Sequence, residues 1–544
     1  MTETVENRLN ELGRIERRPR SINSERYHHV RKEAVPIGDS NLPLIRIQAG
    51  RLPATVDAAE DSLIAARADL YQRGGIVVRP TLSKFRTADG GDDVGLRLTP
   101  VGTQHVVECM TKAARFEKFD ARRRRWVPTN CPPQIAETLL ARGQWRLRPL
   151  NGIIAAPTLR ADGSILDKPG YDDESGLLFY PCGIAFPAIP STPTRSEAVT
   201  ALDLLLDLLS TFSFVADEDR AVILSGLLTA LIRRSLPTAP LHAITSPVAG
   251  SGKSMLVDMI STMVTGKPAP VIAQGRTVDE MQKRLGASLI AGDSIISIDN
   301  CSSTIGGDLL CQATTQQILR IRLLGYSQNI DVPSNASVFV TGNNLAIAGD
   351  MTRRTLLGSL DPKVERPELL TFPTDPRQSV REDRGSIVAA ALTIMRAYHM
   401  TGLHSSVPAL GSFEEWSHRV RDPLIWLGLP DPCITIEKTR RSDPKLSALT
   451  AVIQQWWLAA GSEKLLVKKL VETAANHPDL YAALTAVAGD GYGTVDNNRL
   501  GRWLNRNKGR VVGIGDGLDR RGAKITDCGI LHGNSLWQVV MLTA

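Results

Sequence analysis

A short apolar strand, a glycine-containing loop and an apolar helix follow one another over residues 241–264, in the sequence LHAITSPVAGSGKSMLVDMISTMV. Gly250 and Gly252 let backbone N–H groups converge within the loop. Lys253 and Ser254 open the helix, whose N-terminus adds positive potential. This is the order in which a GxxxxGK[ST] sequence binds phosphate groups. Together with the alternating strands and helices around it, the loop predicts an α/β fold with a mostly parallel sheet.

The loop predicts a site for a nucleoside triphosphate, with ATP and Mg²⁺ as the cofactors. Lys253 would reach the β- and γ-phosphates, and the Ser254 hydroxyl would bind Mg²⁺. Pro247 stands at the first glycine position of the motif, so the chain enters the loop without an N–H at that point. The predicted nucleotide-binding residues are Ala249, Gly250, Ser251, Gly252, Lys253, Ser254 and Met255.

A second apolar strand ends in a carboxylate. In SIISIDN the apolar run leads into Asp299, as in a buried parallel strand that delivers an acid to its C-terminal edge. Asp299 is therefore predicted to join Ser254 at the metal, although a plain core strand has the same pattern. Asn300 follows, and an amide cannot accept a proton from an attacking water. Asn300 would then only orient the water, and Asp308 is the nearest alternative base.

A third apolar strand, ASVFVTGNN, ends in Asn343 and Asn344. If this strand lies between the phosphate loop and the Asp299 strand, Asn343 would hold the attacking water or the γ-phosphate. Arg353 and Arg354 come close behind it. An arginine there could enter the site of a neighbouring subunit and stabilise transition-state charge. Two solvated surface arginines would give the same sequence.

The segments SPVAGSGKS, SIISIDN, STIGGDLL, VFVTGNN and DMTRRTLLGSLDP occur in the order of the superfamily 3 branch of AAA+ helicases. The chain resembles the primase-helicases and replication helicases of phages, plasmids and satellite elements, including the Rep helicases of staphylococcal pathogenicity islands. The resemblance covers about residues 196–544 and is strongest over 241–360. It implies a hexameric ring with ATP between subunits and a lid arginine, Arg384 or Arg419. The catalytic residues it implies are Lys253, Asp299, Asn300, Asn343, Arg353 and Arg354.

The resemblance also implies a β-hairpin that projects into the ring pore and holds single-stranded DNA. The segment QILRIRLLGYSQNIDVP alternates apolar and basic residues and then turns, which agrees with such a hairpin. Arg320, Arg322 and Tyr326 are the candidate pore contacts. A plain hairpin with a solvated basic face is the alternative.

The C-terminal segment predicts a winged helix. Three helical patterns are followed by a glycine-rich β-hairpin, and residues 499–524 hold eight basic and two acidic residues, a net charge of +6. This is nearly the +7 of the whole chain. A basic solvated helix is the alternative. The candidate contacts to duplex DNA are Arg499, Arg502, Arg506, Lys508 and Arg510.

The remaining sequence divides into further segments. Residues 1–45 read as a flexible arm, and 46–190 as an α+β accessory domain in which no pair of carboxylates suggests a primase centre. Its basic run Arg122–Arg125, followed by Trp126, would either grip phosphates and stack on a base or form a solvated hairpin turn. The predicted ATPase core with its leading helices spans 196–365, the helical lid and connector span 366–445, and the winged-helix domain spans 446–544.

Composition narrows the class of protein. At about 150 residues per domain, 544 residues make three or four domains. The apolar run Ala221–Ile232 is 12 residues long, short of the ~18 needed to span a bilayer. The first twenty residues lack the apolar centre of a secretory signal. The seven cysteines are scattered and never spaced as CxxC. We expect reduced thiols, no structural zinc, no membrane partner and a cytoplasmic location.

Two functions of different classes fit these features. The first is an ATP-driven hexameric DNA helicase that replicates a phage or mobile genetic element. The second is a DNA-binding replication initiator or loader that uses ATP as an assembly switch without processive unwinding. Asn300 favours the second function, because the position after Asp299 then lacks a proton acceptor.

Overall fold

The computed structural model describes residues 42–86, 92–275, 277–322, 329–369, 375–515, 521–531 and 533–542. These residues form two compact units. One comprises the chain up to Leu70 together with Val101–Leu147, and the other comprises Tyr71–Pro100 and Arg148–Ala544. The segment predicted as one accessory domain therefore contributes to both units, because strands of its first half belong with the chain after residue 148.

The elements before residue 142 are, in chain order, β1 (Leu44–Ile47), α1 (Leu52–Ala65), β2 (Tyr71–Arg73), β3 (Ile76–Arg86), β4 (Asp92–Pro100), α2 (Thr103–Ala113), β5 (Arg115–Asp120), β6 (Arg125–Thr129) and α3 (Pro133–Ala141). In the first unit, β1 pairs parallel with β5, and β5 pairs antiparallel with β6. Ile45 and Phe116 are buried on the face against which α1 and α2 pack. Neighbouring residues on these strands point to the opposite face, since side chains alternate along a strand.

The second unit begins with small antiparallel sheets. Strands β2, β3 and β4 form one sheet. Further short strands follow: β7 (Gly152–Ile154), β8 (Thr158–Leu159), β9 (Ile165–Leu166), β10 (Gly170–Asp172) and β11 (Leu177–Phe179). A side-chain cap precedes the next helix. Thr194 and Glu197 form a reciprocal capping box that satisfies free N–H groups at the start of the next helix.

The centre of the second unit contains α4 (Arg195–Leu208), α5 (Asp217–Ile232), β12 (Leu241–Ser246), α6 (Lys253–Thr265), β13 (Val271–Ala273), α7 (Val278–Ala291), β14 (Ile295–Cys301), α8 (Asp308–Thr315), β15 (Ile318–Arg322), β16 (Asn329–Pro333), β17 (Ser337–Asn343) and β18 (Thr355–Ser359). Five strands form a parallel sheet in the order β13-β14-β17-β12-β18. This confirms the predicted α/β fold. Strand β17 lies between β12 and β14, so Asn343 ends at the expected edge.

The parallel sheet is covered on both faces, as apolar parallel strands require. Ile244 packs into the cluster formed with α4, α5 and α6. Leu241 and Ala243 pack into the opposite cluster, which contains side chains of α7, α8 and the β15–β16 hairpin. Because all these strands run in one direction, their carboxyl ends meet at one edge of the sheet, where the loops that carry polar residues begin.

The sheet is followed by helices α9 (Pro376–Thr401), α10 (Glu414–Trp416), α11 (Asp422–Trp426) and α12 (Thr435–Arg441). The C-terminal elements are α13 (Pro444–Ala460), β19 (Leu465–Leu466), α14 (Val467–Ala474), α15 (Pro478–Ala488), α16 (Asn497–Asn507), β20 (Val512–Ile514), β21 (Arg521–Leu531) and β22 (Asn534–Met541). The four C-terminal strands form an antiparallel sheet in the order β19-β22-β21-β20.

The C-terminal helices differ from the prediction in number. Residues 465–466 form a strand, which shortens the second predicted helix to α14. Helix α15 was not predicted, although Pro478 occupies a first-turn position where proline is favoured. The basic helix α16 is therefore the fourth helix of the described C-terminal segment and not the third.

All seven cysteines have free thiols. In the described part of the chain, no helix combines the length and the apolar character needed to cross a bilayer.

His242 is a buried titratable group in β12, an interior strand of the parallel sheet. Its Nε2 lies 3.0 Å from the Ser225 hydroxyl, and its ring stacks on Phe339 of β17 with ring centroids 5.6 Å apart. Burial lowers the pKa of His242 to about 3. The imidazole is therefore neutral in the folded chain and titrates near its ordinary pKa of 6.5 in the unfolded chain.

This difference predicts a pH-dependent stability. The lowered pKa favours the folded state above about pH 6.5, and below it the unfolded chain binds a proton that the folded chain does not. Each pH unit below 6.5 should cost about 1.4 kcal/mol of unfolding free energy. We expect His242→Phe to remove this part of the slope between pH 6.5 and pH 5 in urea unfolding. An identical slope in wild type and variant would contradict the assignment.

Candidate functional site

The loop between β12 and α6 has the backbone geometry of a phosphate-binding loop. Gly250 and Gly252 have φ angles of +72° and +88°, in the left-handed region that favours glycine. Gly252 is the N-cap of α6, so the first turn of the helix points its N–H groups at the loop. Val248, after Pro247, donates its N–H to the Ser246 hydroxyl at 3.4 Å. The loop therefore forms without an N–H group at Pro247.

Lys253 lies across this loop. Its Nζ donates to the Val248 carbonyl at 3.0 Å and to the Ser251 hydroxyl at 2.9 Å. Burial lowers the pKa of Lys253, and the negative charge of Asp299 partly opposes this effect. The Lys253 ammonium group is partly desolvated and held by neutral acceptors. An anionic ligand would stabilise it, because charge-assisted hydrogen bonds are stronger than those to neutral acceptors.

Two hydroxyl side chains, one from α6 and one from β17, converge on one carboxylate oxygen at the end of β14. The Ser254 hydroxyl donates to Oδ1 of Asp299 at 2.8 Å. The Thr341 hydroxyl of β17 donates to the same oxygen and accepts the Asn300 N–H at 3.2 Å. Ser254 and Asp299 were predicted to meet. Thr341 was not, because only the strand order reveals that β17 lies beside β14.

Asn300 occupies an unusual backbone conformation. Its φ is +53°, and the pairing between β14 and β17 shifts register between Ile298 and Cys301. Asparagine is among the non-glycine residues that best tolerate this left-handed region, which a longer acid tolerates less well. The irregularity gives a physical reason for an amide at this position, and it leaves the general base without an assignment.

Asn343 was predicted to hold the attacking water or the γ-phosphate, and Asp308 to be the alternative base. The two residues lie in different surroundings. Asn343 ends β17 opposite Ser246 of β12, at the carboxyl edge beside the loop. Asp308 begins α8 and acts electrostatically on Cys311, in a group of charges that includes Asp350. Among the described residues, no hydrogen bond joins Asp308 to the Ser254–Asp299 pair. The geometry therefore gives no support to Asp308 as the alternative base.

A cavity of about 280 Å³ opens beside the phosphate loop. The side chains and backbone that line it are Thr211, Phe212, Ser213, Gly250, Ser251, Gly252, Met255, Pro362, Pro367, Asp375 and Pro376. A Cβ atom added to Gly252 would lie 3.0 Å from the Phe212 ring, so glycine is needed for this approach. Gly250, Ser251, Gly252 and Met255 were predicted to contact nucleotide. The remaining walls come from distant segments and were missed, although the repeated prolines after residue 361 were a visible signal.

Arg353 and Arg354, the two arginines predicted to stabilise transition-state charge, differ in exposure. Both pair with Asp350, and Arg353 is the main cause of the lowered pKa of that carboxyl group. Arg354 also donates to the Thr315 hydroxyl at 2.6 Å, and its side chain is only 11% exposed. The side chain of Arg353 is 42% exposed. Arg354 is thus held within its own chain by two partners, and Arg353 is the more exposed of the two.

Neither predicted lid arginine reaches the nucleotide site. Arg384 donates to the carbonyls of Met263, Val264 and Ala155. Arg419 donates to the carbonyls of Ser235, Leu159 and Arg160. Both guanidinium groups are buried and hold backbone segments together, so the lid-arginine prediction is wrong for these two residues.

Other arginines lie nearer the loop. Asp258 is four residues beyond Ser254 on α6. Burial is the largest influence on its pKa, which is raised, and the positive charges of Arg377 and Arg381 act in the opposite direction. Both arginines belong to the first two turns of α9 and are exposed. They precede Arg384 by seven and three residues on the same helix, and no lid role was predicted for either.

The β15–β16 hairpin forms as predicted, with an apolar face and a polar face. Arg320 pairs with Asp331 directly across the hairpin, at 2.9 Å and 3.3 Å. Arg322 is opposite Asn329 and has no acidic partner among the described residues. Tyr326 lies outside the described residues. Of the predicted pore contacts, Arg322 therefore retains the uncompensated positive charge, and Arg320 does not.

The basic helix α16 buries one side and exposes the other. Leu500 and Leu504 are buried in the C-terminal core. Arg499, Arg502 and Arg506 are three and four residues apart, so they share the exposed face.

Two further C-terminal cations are partly engaged within the chain. Lys508 pairs with Asp527 at 3.6 Å, and Arg510 donates to the Asn507 side chain at 3.3 Å. Two of the α16 arginines are engaged as well, since Arg499 donates to the Gly489 carbonyl at 2.6 Å and Arg502 to the Asn498 carbonyl at 3.3 Å. All five predicted cations are exposed, and Arg506 is the one without a hydrogen bond or ion pair among the described residues.

No family model matches the sequence, and no curated protein matches it. Several solved structures are similar. The apo C-terminal region (CTR) of NrS-1 is 14% identical, with 85% of this chain and 96% of that chain covered and a TM-score of 0.35. SCCmec type IV Cch, described as an active helicase, is 12% identical, covers 78% and 94%, and has a TM-score of 0.32. JCV helicase is 10% identical, covers 48% and 71%, and has a TM-score of 0.21. Likenesses at this level carry no argument about function, which rests on the site itself.

The residues at the carboxyl edge of the sheet fit Mg²⁺ and a triphosphate. A hydroxyl and a carboxylate 2.8 Å apart supply the oxygen ligands that Mg²⁺ prefers. The glycine loop, the helix N-terminus and Lys253 supply positive groups beside that pair. The neighbouring cavity provides an apolar wall suited to a flat ring.

Thr341 gives the first test of the site. We expect Thr341→Val to keep the strand intact, because both side chains are β-branched, and to free the Asp299 carboxylate. Loss of such a supporting hydrogen bond typically lowers metal affinity or activity about 10- to 100-fold. ATP hydrolysis measured across a Mg²⁺ titration should shift to higher Mg²⁺ concentration.

Thr355→Val is the matched control for this substitution. Thr355 lies on β18 of the same sheet, is buried, and its hydroxyl has no hydrogen-bond partner in the described residues. Equal Mg²⁺ dependence in the two variants would show that Thr341 does not position Asp299.

Proposed function

We propose that this chain is an ATP-driven DNA helicase of the superfamily 3 branch of AAA+ proteins. It would act as a homohexameric ring in the replication of a phage or mobile genetic element. The observation that carries the proposal is the hydrogen bond between Ser254 and Asp299 beside the Lys253 loop. It joins the two parts of a nucleotide-hydrolysis site that are 45 residues apart in sequence.

The residues of this site have separable roles. Mg²⁺-bound ATP supplies the phosphoanhydride bond whose cleavage drives the cycle. Lys253 binds phosphate oxygens, and Ser254 and Asp299 hold the metal in an orientation that Thr341 fixes. Asn343, at the tip of the strand between them, orients the attacking water or the γ-phosphate. Asn300 positions water through its amide and takes no proton.

A ring in which neighbouring subunits share each site would explain why Arg353 is exposed. The described site contains no arginine hydrogen-bonded to Ser254 or Asp299, and an arginine finger stabilises transition-state charge by about 10³-fold or more. Arg353 supplies this charge to the adjacent subunit, since its side chain is exposed at the end of the β17–β18 connection. Its exposure and the burial of Arg354 support this choice.

Two surfaces would contact DNA in this proposal. Arg322, with Tyr326 beyond the described part of the hairpin, contacts a single strand in the pore. The C-terminal segment acts as a winged helix on duplex DNA, with Arg499, Arg502 and Arg506 of α16 directed at the groove. The net charge of this segment supports a polyanionic partner.

A second function is favoured by Asn300. The position after the metal-binding carboxylate carries an amide in a left-handed conformation, and slow hydrolysis would suit a switch. In this alternative the chain is a DNA-binding initiator or loader. ATP binding would drive its assembly on DNA, and no processive unwinding would follow.

Unwinding of a labelled fork separates the two functions. We expect the wild type to displace the strand with ATP, and Lys253→Ala to lose at least about 100-fold in hydrolysis and unwinding. Lys283→Ala is the control, because that lysine is exposed on α7 and pairs only with Asp279. ATP-dependent assembly without strand displacement by the wild type would identify the loader instead.

Mixed rings test the shared site. Rings of Arg353→Ala alone and of Lys253→Ala alone should both be inactive, because every interface lacks one component. Mixing the two should restore part of the ATPase activity, since some interfaces then combine an intact loop with an intact arginine. Arg354→Ala should instead lower the unfolding temperature and regain no activity on mixing. Failure of Arg353→Ala to be rescued, with subunit exchange demonstrated separately, would contradict action across the interface.

A further inference from the structure

The first unit exposes an aromatic surface on its three-stranded sheet. Phe119 of β5 and Trp126 of β6 are directly opposite each other in the antiparallel register. Their ring centroids are 5.6 Å apart with a 68° angle between planes. Phe119 is 53% exposed, although it belongs to a strand whose other face is covered by helices. The Trp126 ring is half-buried. Leaving a ring such as Phe119 in water costs hydrophobic free energy, which suggests a ligand.

A cation extends this surface across the sheet. The Arg46 guanidinium of β1 lies 5.0 Å from the centroid of the Trp126 ring, and it pairs with Glu117 of β5 at 3.3 Å. The three strands therefore present arginine, phenylalanine and tryptophan on one face. Glu117 is compensated by Arg46 and does not leave a net negative charge there.

A strongly basic turn joins the two aromatic strands. Residues 115–125 contain six basic and two acidic residues, a net charge of +4. The turn is held in shape because Asp120 accepts the N–H groups of Arg122 and Arg123 at 2.9 Å and 3.2 Å. Of the four arginines Arg122–Arg125, only Arg123 has an acidic side chain within ion-pair distance among the described residues.

The fold does not use these charges for its own stability. Elsewhere in the same unit, Arg142 pairs with Asp57, and Arg146 pairs with Asp61 and Glu60. Those arginines tie α1 to the chain that follows α3. Among the described residues, the turn arginines make no comparable connection, so their concentration next to an exposed phenylalanine ring and a half-buried tryptophan ring calls for an external anion.

We propose that this face, defined by Arg46, Phe119, Trp126 and the Arg122–Arg125 turn, is a binding site for single-stranded DNA. Bases stack on the two rings, and the backbone phosphates contact the turn arginines. A single strand fits better than a duplex, because only unpaired bases offer their faces to rings on a sheet surface. The site is separate from the pore hairpin and the C-terminal helix, and it does not depend on the proposed unwinding activity.

The test uses the full chain carrying Lys253→Ala, so that nucleotide turnover plays no part. A short oligothymidylate containing 5-iodouracil is photo-cross-linked, and the modified peptides are identified by mass spectrometry. We expect cross-links at Phe119 or Trp126. The cross-linking yield at the peptide that contains these residues, measured against oligonucleotide concentration, gives an affinity for this site alone. Binding elsewhere on the chain does not contribute to it.

Two sets of substitutions separate stacking from charge. Phe119→Leu, followed at the Trp126 cross-link, and Trp126→Leu, followed at the Phe119 cross-link, should each weaken binding about 5- to 100-fold, the usual value of base stacking, and leave the salt dependence unchanged. Arg122→Gln with Arg125→Gln should reduce the slope of log affinity against log salt by about 0.7 for each phosphate that an arginine no longer neutralises. Lys112→Gln, an exposed lysine on α2 paired with Glu108, is the charge control and should change neither quantity.

Several results would overturn this assignment. They are cross-links confined to other peptides, unchanged affinity in both leucine variants, or stronger binding of duplex than of single strand at this peptide. A change of oligomeric state in the leucine variants without loss of cross-linking would identify the face as a protein interface. Each outcome is independent of the fork assay, because no ATP is hydrolysed.

Discussion

The hydrogen bond from Ser254 to Asp299 is the contact on which the rest of the site depends. It joins the helix after the phosphate loop to a strand that is not adjacent to the loop strand in the sheet. Strand β17 separates the two, and Thr341 from that strand donates to the same carboxylate oxygen. A carboxylate with two hydroxyl donors is fixed in orientation before any metal arrives. The parallel sheet therefore does more than support the loop, because its strand order sets which hydroxyl reaches the acid.

Much of this arrangement could be predicted from the sequence, because it is encoded locally. The strand, loop and helix around Lys253 are contiguous, and the strands ending in Asp299 and Asn343 are short apolar runs with a polar tip. Parallel strands end at one edge, so the convergence of these tips follows from the fold class alone. The order β14-β17-β12 agrees with the position inferred for Asn343. The β15–β16 hairpin was likewise visible in the alternation of Arg320 with its apolar neighbours.

The parts that escaped prediction depend on contacts between distant segments. Phe212 approaches Gly252 from the end of α4, and Pro367 lines the same cavity from beyond β18. Nothing in the local sequence marks Phe212 as part of a site, and the prolines after residue 361 signal a turn without showing what it contacts. Arg384 was wrongly predicted to be a lid arginine. Its place in the sequence does not show that its guanidinium group is buried and hydrogen-bonded to carbonyl groups. Charge alone did not separate Arg320 from Arg322 either, because only the hairpin register pairs the former with Asp331.

One contact links the turn Gly349–Arg353 to the C-terminal segment. Asp443 is only 3% exposed. Its carboxylate accepts the Gly349 N–H at 3.0 Å and the Lys445 N–H at 2.8 Å, at the start of α13. Gly349 begins the short turn that ends at Arg353. A buried carboxylate cannot lose one donor without a free-energy cost of about 1–3 kcal/mol. A displacement of α13 therefore either breaks this bond at that cost or moves Gly349 with it. In the proposed ring, this turn would face the nucleotide of the neighbouring subunit. The same buried acid would then connect the position of the C-terminal segment in one subunit with the transition-state charge available to the next.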